Sequence, residues 1–449
     1  MSLERPLVVG LAVTGEAMAS ALRRRGSDVV VVDDHPTDAV RTRAELLAVE
    51  LVEAPDDAQL AALVGGCTAV LPSPGVPDRH PVFRAAHERG IGILSEFDLA
   101  RTWDHRPVLA VTGTDGKTTV TTMVTDMLVA SGRAAVAAGN TEVPLVAAID
   151  DPDVEVFVVE ASSFRLGHTR HFHPRVGTWL NFAPDHLDVH ATLHAYEAAK
   201  ARVWAELDTA AGAVAVANAD DPVVMRNVVP ANRTRTFSLH RTDADYVVAD
   251  GALRGPGGDE LAPIDELPRD LPHDLANGLA AAATAVPGGA TPDGVRAVLT
   301  TFRNLPHRVE LIGERDGVRW FDDSKATAPH ATLAALAGFD SAVLVAGGRN
   351  KGLDLGELAG ASDRLRAVVA IGEAAPEVAA AFDGRRPVVV AGSMADAVEA
   401  AAGLARPGDA VVLSPGCASF DWYASYAARG DDFTATVRRL VLDPGGSGA

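Results

Sequence analysis

The chain has 449 residues, of which 47% are hydrophobic and 22% charged, and its formal net charge is −20. These values are typical of a globular protein with roughly two to four domains, and they exclude a disordered chain and a diffuse basic surface for nucleic acid or anionic lipid. Cys67 and Cys417 lie far apart, which excludes a disulfide framework. With no signal-peptide pattern and no apolar run of about 18 residues, the sequence predicts a cytoplasmic protein with neither nucleic-acid nor membrane partners.

The predicted elements alternate between short β-branched strands and alanine-rich helices. The first unit is a buried strand, a glycine turn, an amphipathic helix and a second strand that ends at Asp33 and Asp34, as in a Rossmann-like fold. Alternation of this kind, repeated along the chain, predicts an α/β fold with mostly parallel sheets. Between Thr242 and Pro272, a composition of Gly, Pro and acids predicts irregular surface structure.

Two loop-like stretches, "TWDHRP" and "RNLPHR", divide the chain near residues 104 and 305. We therefore expect three α/β domains. The first and the last are expected to be Rossmann-like, and the three cover residues 1–103, 104–304 and 305–449.

The sharpest local signal is "VTGTDGKTTV", residues 111–120, which lies between a predicted strand and a predicted helix. Loop amides and the helix N-terminus can hold phosphate groups there, while Lys117 reaches their outer oxygens and Thr118 can ligate Mg²⁺. Val111 stands where the strict P-loop pattern has glycine, so the motif is a shortened variant. We expect a central P-loop domain that binds ATP, although the loop alone leaves motors, kinases, switches and ligases open.

Two further polar groups follow in the central domain. Glu160 in "VVEASSF" ends a predicted strand, where ligands of parallel sheets gather and where a carboxylate suits Mg²⁺; a solvated glutamate is the alternative. The segment "NFAPDHLDVH" places Asp185, His186, Asp188 and His190 within six residues. Such a cluster is often an ordinary polar loop. A zinc site is the alternative, although the spacing matches no common structural zinc pattern.

The order of these motifs resembles the Mur ligase family. The family's GTxGKT/S, E-x-S-S-F, D-H-L/M-D and A-A-K patterns occur here as "GTDGKTT", "EASSF", "DHLD" and "EAAK". The C-terminal segments "LPHR", "DDSKAT", "GGRNKG" and "SPGCASFDWY" resemble the family members that add D-glutamate. The resemblance runs in order through most of the chain, with the departure that Asp115 stands where asparagine is usual.

Lysine is confined to these motifs. Among 40 basic residues only four are lysines, namely Lys117, Lys200, Lys325 and Lys351. A guanidinium stays protonated, whereas a primary amine can lose its proton and react, so arginine cannot replace a reactive lysine. The resemblance implies that CO₂ carbamylates Lys200 and turns this cation into a carboxylate-like Mg²⁺ ligand. A lysine on a helix surface is the alternative.

The resemblance implies an ATP-dependent amide ligase of peptidoglycan precursor synthesis. The γ-phosphate of ATP would pass to the alanyl carboxylate of UDP-N-acetylmuramoyl-L-alanine, and the amine of D-glutamate would attack the acyl phosphate. Catalysis would then be mostly electrostatic positioning. The partners would be these small molecules, and we expect a monomer.

The resemblance also assigns residues to these roles. The catalytic residues are Lys117, Glu160, His186 and Lys200, and the last three join Thr118 as ligands of two Mg²⁺ ions. The ATP contacts are Gly113, Thr114, Asp115, Gly116, Lys117, Thr118, Thr119, Asn277, Arg308, Asp323 and Lys325. The UDP-sugar contacts are Val13, Thr14, Asp33, Asp34, Ser73, Pro74, Gly75, Asn140 and Ser162. The D-glutamate contacts are Thr327, Lys351, Ser419 and, through its backbone, Phe420.

Several alternatives stay open at this point. The chain could be another Mur-type or folylpolyglutamate-type ligase with a different amino acid, or a non-catalytic nucleotide-binding regulator. Asn140 could be a simple turn residue, and the acids after the second strand could accept a ribose hydroxyl of NAD, although the first turn lacks G-x-G-x-x-G. Because the assigned site is divided among domains, we expect closure about a hinge near residues 303–308.

Overall fold

A computed structural model describes residues 3–186, 189–205, 207, 212–228 and 233–443. The described residues form two compact units. Unit 1 comprises Met1–Phe182, His186–Leu267 and Ala276–Thr301, and unit 2 comprises Ala183–Asp185, Pro268–Leu275 and Phe302–Ala449. The predicted α/β class with mostly parallel sheets is confirmed. None of the described helices combines the length and hydropathy that a bilayer-spanning segment needs.

The first part of unit 1 is a parallel four-stranded sheet. Its elements are β1 (Pro6–Val9), α1 (Val13–Arg24), β2 (Val30–Asp33), α2 (Asp38–Leu47), β3 (Glu50–Glu53), α3 (Asp57–Gly66), β4 (Ala69–Pro72), α4 (Pro81–Arg89) and α5 (Glu96–Trp103). The strand order is β3-β2-β1-β4. β1 and β4 are buried along their whole length, because helices cover both faces of a parallel sheet and leave no polar face.

The second part of unit 1 is built on a nine-stranded sheet. Its elements are β5 (Val108–Thr112), α6 (Lys117–Ala130), β6 (Ala135–Gly139), α7 (Leu145–Ala148), β7 (Val156–Glu160), α8 (Ser163–Leu166), β8 (Val176–Trp179), α9 (Leu193–Ala201), β9 (Val214–Asn218), α10 (Pro222–Arg226), β10 (Thr234–Ser238), β11 (Tyr246–Ala249), β12 (Ala252–Arg254), β13 (Glu260–Pro263), α11 (Pro272–Gly288) and α12 (Pro292–Thr301). The first four residues of α11 belong to unit 2 and the rest of the helix to unit 1. The order is β13-β12-β11-β10-β9-β8-β5-β7-β6, and the strands from β6 to β11 are parallel.

The expectation of irregular structure between residues 242 and 272 is wrong. β11 pairs with β10, and β12 and β13 continue the central sheet as antiparallel strands. These strands are short and are separated by glycine turns, with Gly251 at φ +70° and Gly257 at φ +79°. The turn residues dominate the composition and conceal the strands, which form because β10 offers an edge to pair with.

The two parts of unit 1 share one hydrophobic core, which contains side chains from the first sheet, from α5 and from the central sheet. The first turn of α5 adds buried polar contacts. Asp98 accepts hydrogen bonds from the backbone N–H groups of Arg170 (3.0 Å) and His171 (2.7 Å), and it is 1% exposed. The shared core explains why residues 1–103 pack with the central sheet as one compact unit.

Unit 2 contains a six-stranded sheet in the order β14-β15-β19-β16-β17-β18. Its elements are β14 (Glu310–Arg315), β15 (Val318–Asp322), α13 (Pro329–Leu336), β16 (Ala342–Gly347), β17 (Leu365–Ile371), α14 (Ala375–Phe382), β18 (Val388–Val390), α15 (Met394–Leu404), β19 (Ala410–Leu413) and α16 (Tyr426–Val437). Only the β14–β15 pair is antiparallel among the described pairs of this sheet. Apolar clusters on both faces of the sheet form its core.

Candidate active site

The predicted phosphate loop connects β5 to α6, as the sequence indicated. The side-chain oxygen of Asn181 accepts hydrogen bonds from the backbone N–H groups of Thr114 and Asp115, both at 2.9 Å. Lys117 Nζ donates to the carbonyl oxygens of Gly113 and Thr114, both at 2.9 Å. The loop thus has a fixed backbone, and α6 begins at Lys117 with no side-chain cap on its N-terminus.

Gly116 gives this loop a conformation that other residues rarely adopt. Its φ is +80°, and a Cβ atom there would lie 2.7 Å from Asn277 Oδ1. The predicted ATP contact Asn277, on α11, is therefore directly beside the phosphate loop. Both the left-handed backbone and the close approach require glycine at position 116.

Register brings three strand ends together next to the loop. Val111 on β5 pairs with Glu160 on β7, which pairs in turn with Gly139 on β6. Asn140 follows Gly139, and its side-chain amide donates to Glu160 Oε1 at 2.9 Å. The predicted metal ligand Glu160 and the predicted substrate contact Asn140 are therefore hydrogen-bonded to each other.

Buried oxygens without partners occur at the same strand end. Glu160 is 2% exposed and Ser162 is 6% exposed. Among the described residues, nothing forms a hydrogen bond with Glu160 Oε2 or Ser162 Oγ. A buried carboxylate oxygen left in this way is costly unless a cation or another ligand binds it, so Glu160 fits a hard-metal site.

Lys200 lies on α9 with its amine at the phosphate loop. It is 1% exposed, and its Nζ donates to the carbonyl oxygen of Gly113 at 2.6 Å. Its Nζ also lies 4.5 Å from the centre of the Tyr196 ring. Lys117 and Lys200 therefore share one acceptor, which places the lysine of "EAAK" beside the phosphate loop rather than on the helix surface.

An aromatic cluster joins the remaining central motifs. The ring of His186 lies edge-on to Phe164 of "EASSF" at 4.8 Å and to Tyr196 at 5.9 Å. His186 adopts φ +56°, a conformation that is strained for a non-glycine residue. His190 stacks on Phe164 and bonds to Ser163 Oγ at 2.9 Å. Asp188 lies outside the described residues.

The predicted UDP-sugar residues of the first sheet surround the turn after β1. The carboxylate of Asp33 accepts hydrogen bonds from the N–H groups of Leu11 and His35, both at 3.0 Å, and so holds this turn. Ser73 Oγ donates to the carbonyl oxygen of Gly10 at 2.7 Å, which joins the "SPG" segment to the same turn. Val13 is 57% exposed.

The other members of this set lie at the same edge of the sheet. Asp34 contacts His80 Nε2 at 2.8 Å. Thr14 is buried in the first turn of α1, while Pro74 is half-buried and Gly75 exposed beyond β4. The carboxyl ends of β1, β2 and β4 thus carry all of the residues predicted here, as expected for a parallel sheet.

In unit 2, the predicted nucleotide contacts follow β15. Asp323 accepts hydrogen bonds from Ser414 Oγ at 2.7 Å and from the N–H of Val309 at 3.2 Å. Burial raises the pKa of Asp323 to about 7, although these hydrogen bonds and the charge of Arg308 act in the opposite direction. Lys325 Nζ lies over the Tyr426 ring at 3.8 Å.

The predicted D-glutamate contacts lie on two loops that pair with each other. The N–H of Arg349 donates to the carbonyl oxygen of Ala418 at 2.8 Å, and the reverse bond is 3.0 Å. This pairing joins the loop of Lys351, which is exposed, to the loop of Ser419, which is 2% exposed. Phe420 is 61% exposed, and Thr327 is half-buried after β15.

Arg429 supports both of these regions, and the sequence analysis did not identify it. Its guanidinium is 1% exposed and donates to Ser324 Oγ, to the carbonyl oxygen of Ser324 (both 2.9 Å) and to the carbonyl oxygen of Cys417 (3.1 Å). Burial lowers its pKa to about 10. Asn181, Tyr196 and Arg165 were missed as well. Asn181 begins the "NFAPDHLDVH" segment, and Arg165 directly follows "EASSF". Their position next to a motif is the sequence feature that could have identified these two residues.

Family models match two regions of the chain. The Mur ligase middle domain matches residues 111–284, and the Mur ligase glutamate ligase domain matches residues 307–417. The first region contains the phosphate loop, Glu160, His186 and Lys200. The second contains Arg308, Asp323, Lys325 and Lys351.

Full-length relatives agree with these models. A protein of Frankia casuarinae named UDP-N-acetylmuramoylalanine--D-glutamate ligase is 43% identical, with 96% of this chain and 93% of the relative covered. A protein of the same name from Desulfosudis oleivorans is 40% identical over 97% of this chain and 96% of its own.

Solved structures share the fold at lower identity. A pseudomurein peptide ligase type C from Methanothermus fervidus has a TM-score of 0.61 and 17% identity, covering 97% of this chain and 100% of its own. UDP-N-acetylmuramate-alanine ligase from Thermotoga maritima has a TM-score of 0.57 and 17% identity, covering 97% of this chain and 99% of its own. Since models, relatives and fold agree along nearly the whole length, the chain belongs to the Mur ligase family.

Proposed function

We propose that this protein is an ATP-dependent ligase that joins D-glutamate to UDP-N-acetylmuramoyl-L-alanine in peptidoglycan precursor synthesis. The observation that carries the proposal is the set of near-full-length relatives with this activity in their name, two of which are 43% and 40% identical to this chain. The described sites support it, because they contain groups suited to binding phosphate and groups suited to binding carboxylate. Amide formation needs both, since a carboxylate must be activated by phosphoryl transfer before an amine can displace its oxygen.

In this proposal the phosphate loop binds ATP. The backbone amides of the loop and the N-terminus of α6 would contact the phosphate oxygens. Lys117 would leave its loop carbonyls and neutralise charge on the transferring phosphoryl group. Asn277 lies close enough to the loop to contact the same nucleotide.

The central residues fit Mg²⁺, because Glu160 Oε2 is buried and lacks a partner among the described residues. Glu160, His186, Thr118 and a carbamylated Lys200 would hold the metal, with Lys200 reacting through the amine that now bonds to Gly113. Bound Mg²⁺ supplies charge neutralisation at the phosphates. Asn140 would orient Glu160 through its 2.9 Å hydrogen bond.

We further infer three functional domains with the boundaries that the sequence predicts. Residues 1–103 would bind the UDP-sugar at the carboxyl ends of β1, β2 and β4. Residues 104–304 would bind ATP, and residues 305–449 would bind D-glutamate through Thr327, Lys351, Ser419 and the backbone of Phe420. We expect the enzyme to act as a cytoplasmic monomer.

The test is phosphate release from ATP in the presence of UDP-N-acetylmuramoyl-L-alanine and one amino acid at a time. We expect release with D-glutamate, and none with L-glutamate, L-alanine, L-lysine or diaminopimelate. Release with a different amino acid would keep the ligase chemistry and refute the assigned D-glutamate contacts. No release with any of them would favour a non-catalytic nucleotide-binding regulator.

A further inference from the structure

Two non-glycine residues in the left-handed region flank Arg308, a nucleotide contact in the proposed function. His307 has φ +60° and Val309 has φ +49°. Residues with a Cβ atom rarely adopt this conformation, and it persists only where the surrounding contacts enforce it. Contacts around this segment must therefore hold the backbone on both sides of Arg308.

The residues that follow β15 supply one set of these contacts. The N–H of Val309 donates to Asp323 Oδ1 at 3.2 Å, and the N–H of Lys325 donates to the carbonyl oxygen of His307 at 3.1 Å. Burial raises the pKa of Asp323 to about 7, and the charge of Arg308 opposes this rise. The Arg308 guanidinium therefore lies within electrostatic reach of Asp323, a second proposed nucleotide contact.

Arg269, three residues before α11, supplies the second set. Its Nη1 donates to the carbonyl oxygens of Val309 at 2.6 Å and of Arg308 at 3.3 Å. Its Nε and Nη2 both lie 2.9 Å from Asp274 Oδ2. Asn304 Nδ2 donates to Asp274 Oδ1 at 3.2 Å and to the carbonyl oxygen of Arg308 at 3.1 Å. All of these residues belong to unit 2.

The arrangement uses the fixed fork of a guanidinium. Its N–H donors lie in one plane, so a carboxylate bound at the Nε and Nη2 edge fixes the direction in which Nη1 donates. Asp274 lies in the first turn of α11, where its side chain is 11% exposed, and the Arg269 side chain is 25% exposed. Arg269 thus connects the first turn of α11 rigidly to the carbonyl oxygens of Arg308 and Val309.

We propose that Arg269 is a positioning residue for nucleotide binding, which holds the backbone of residues 307–309 so that the Arg308 side chain is oriented toward ATP. This inference rests on the proposed function, because it takes ATP as the ligand of Arg308. Arg269 itself does not contact the nucleotide. It acts by restricting the segment before ATP binds, and a contact that is already oriented costs less conformational entropy on binding.

A purely structural role would make Arg269 a fastener of its loop that contributes only to stability. Arg315 is a matched control for that role in the same unit. Its Nη1 donates to the carbonyl oxygens of Val441 at 2.5 Å and of Leu442 at 3.2 Å, and its Nε lies 3.6 Å from Asp316 Oδ2. Both arginines therefore bind two successive carbonyl oxygens and one carboxylate, but Arg315 does so away from residues 307–309.

Steady-state kinetics measure the KM for ATP and for UDP-N-acetylmuramoyl-L-alanine in variants at these two positions. Arg269→Met should raise the KM for ATP by about tenfold, since several charge-assisted hydrogen bonds no longer orient this one nucleotide contact. Its kcat and its KM for the sugar nucleotide should change by less than about threefold. Arg269→Lys should fall between, because an ammonium keeps the charge but lacks the planar fork. Arg315→Met should keep both KM values.

Hydrogen–deuterium exchange gives a readout that does not depend on turnover. The peptide that contains residues 303–309 should exchange faster in Arg269→Met than in the original protein, because its backbone loses two hydrogen bonds and opens more often. Arg315→Met should leave the exchange of this peptide unchanged. Unchanged exchange in Arg269→Met would show that Arg269 does not hold the segment, and would overturn the proposal.

Arg269→Met leaves the Asp274 carboxylate without the arginine charge beside it, so the double variant Arg269→Met/Asp274→Asn is measured as well. It should fold, and its KM for ATP should rise as in Arg269→Met. An unchanged KM for ATP in both variants would overturn the proposal. An increase of equal size in Arg315→Met, or for ATP and the sugar nucleotide alike, would also overturn it, because lost stability would then explain the effect.

These outcomes are separate from those of the proposed function. If the original protein releases phosphate with D-glutamate and Arg269→Met keeps its KM for ATP, only the role of Arg269 is refuted. If the original protein releases no phosphate with any amino acid, the proposed function is refuted. The affinity for an ATP analogue, measured by titration calorimetry in the same variants, then replaces the KM for ATP as the test of Arg269.

Discussion

Lys200 combines burial with a contact to the phosphate loop, which makes its chemistry testable. Replacing it with arginine should lower D-glutamate-dependent phosphate release by about 100-fold or more, because a guanidinium cannot form a carbamate and a metal ligand would be lost. The exposed fraction of Lys200 is 1%, so the larger side chain would also displace its neighbours.

The matched control is Arg202→Lys, two positions along the chain, where the side chain bonds to the carbonyl oxygen of Thr169. This variant should keep its turnover. Removing dissolved CO₂ should slow the original protein. Near-normal activity of Lys200→Arg would exclude the carbamate.

Asp323 makes a pH dependence of stability predictable. Burial raises its pKa in the folded protein to about 7, above the ordinary value of 3.8 for an aspartate side chain. Between these values the folded state keeps a proton that the unfolded state releases, so the stability contributed by Asp323 falls as the pH rises from about 4 to about 7. The slope can reach about 1.4 kcal/mol per pH unit for one proton.

Denaturant unfolding at several pH values checks this. In Asp323→Asn the side chain does not titrate, so the free energy of unfolding should decrease less steeply across this range than in the original protein. Asp363→Asn, at a fully exposed carboxylate of unit 2, should follow the original curve. Parallel curves for Asp323→Asn and the original protein would contradict the raised pKa.

At the scale of elements, the two glycines that flank α6 provide a paired test of the phosphate loop. Gly116 and Gly132 have nearly the same φ, +80° and +79°, but a Cβ atom meets Asn277 only at Gly116, while nothing lies within 4 Å at Gly132. Both alanine variants should lose about 1 to 2 kcal/mol from backbone strain. Only Gly116→Ala should also raise the KM for ATP, by about tenfold or more, because the loop must move away from Asn277.

Steady-state kinetics with thermal unfolding of both variants separates the two effects. Equal KM values for ATP in Gly116→Ala and Gly132→Ala would mean that the loop does not bind the nucleotide.

The sequence predicts well what is encoded locally and poorly what depends on distant partners. Apolar runs and one glycine turn predict β1, α1 and β2, and the residue spacing of the motif predicts the phosphate loop. The local sequence does not predict β12 and β13, because these strands form by pairing along a sheet edge that the local composition does not reveal. Arg429 was missed for the same reason, because its partner Ser324 lies 105 positions away.

At the scale of the whole molecule, the proposed ligand contacts are divided between unit 1 and unit 2. Phosphate-loop residues belong to unit 1, while Asp323, Lys325 and Lys351 belong to unit 2. The chain changes unit several times, and the last change is between Thr301 and Phe302, next to the hinge predicted at residues 303–308. We expect ATP analogue and UDP-sugar together to bring the units closer.

Small-angle X-ray scattering measures this as a decrease in the radius of gyration on adding both ligands. Gly116→Ala is the control, since it should bind the nucleotide about tenfold more weakly and should keep its radius at a ligand concentration that just saturates the original protein. An unchanged radius in the original protein with both ligands bound would refute closure.

The restriction of lysine to four positions also makes the protein unusually easy to footprint. The four side chains differ in access, from exposed Lys351 through half-buried Lys117 and Lys325 to buried Lys200. Arginine elsewhere is inert to acylating reagents at neutral pH, so every acylated side-chain amine reports on a proposed ligand contact. Peptide mass spectrometry would then follow ligand protection at each contact separately, without the background that lysine-rich surfaces produce.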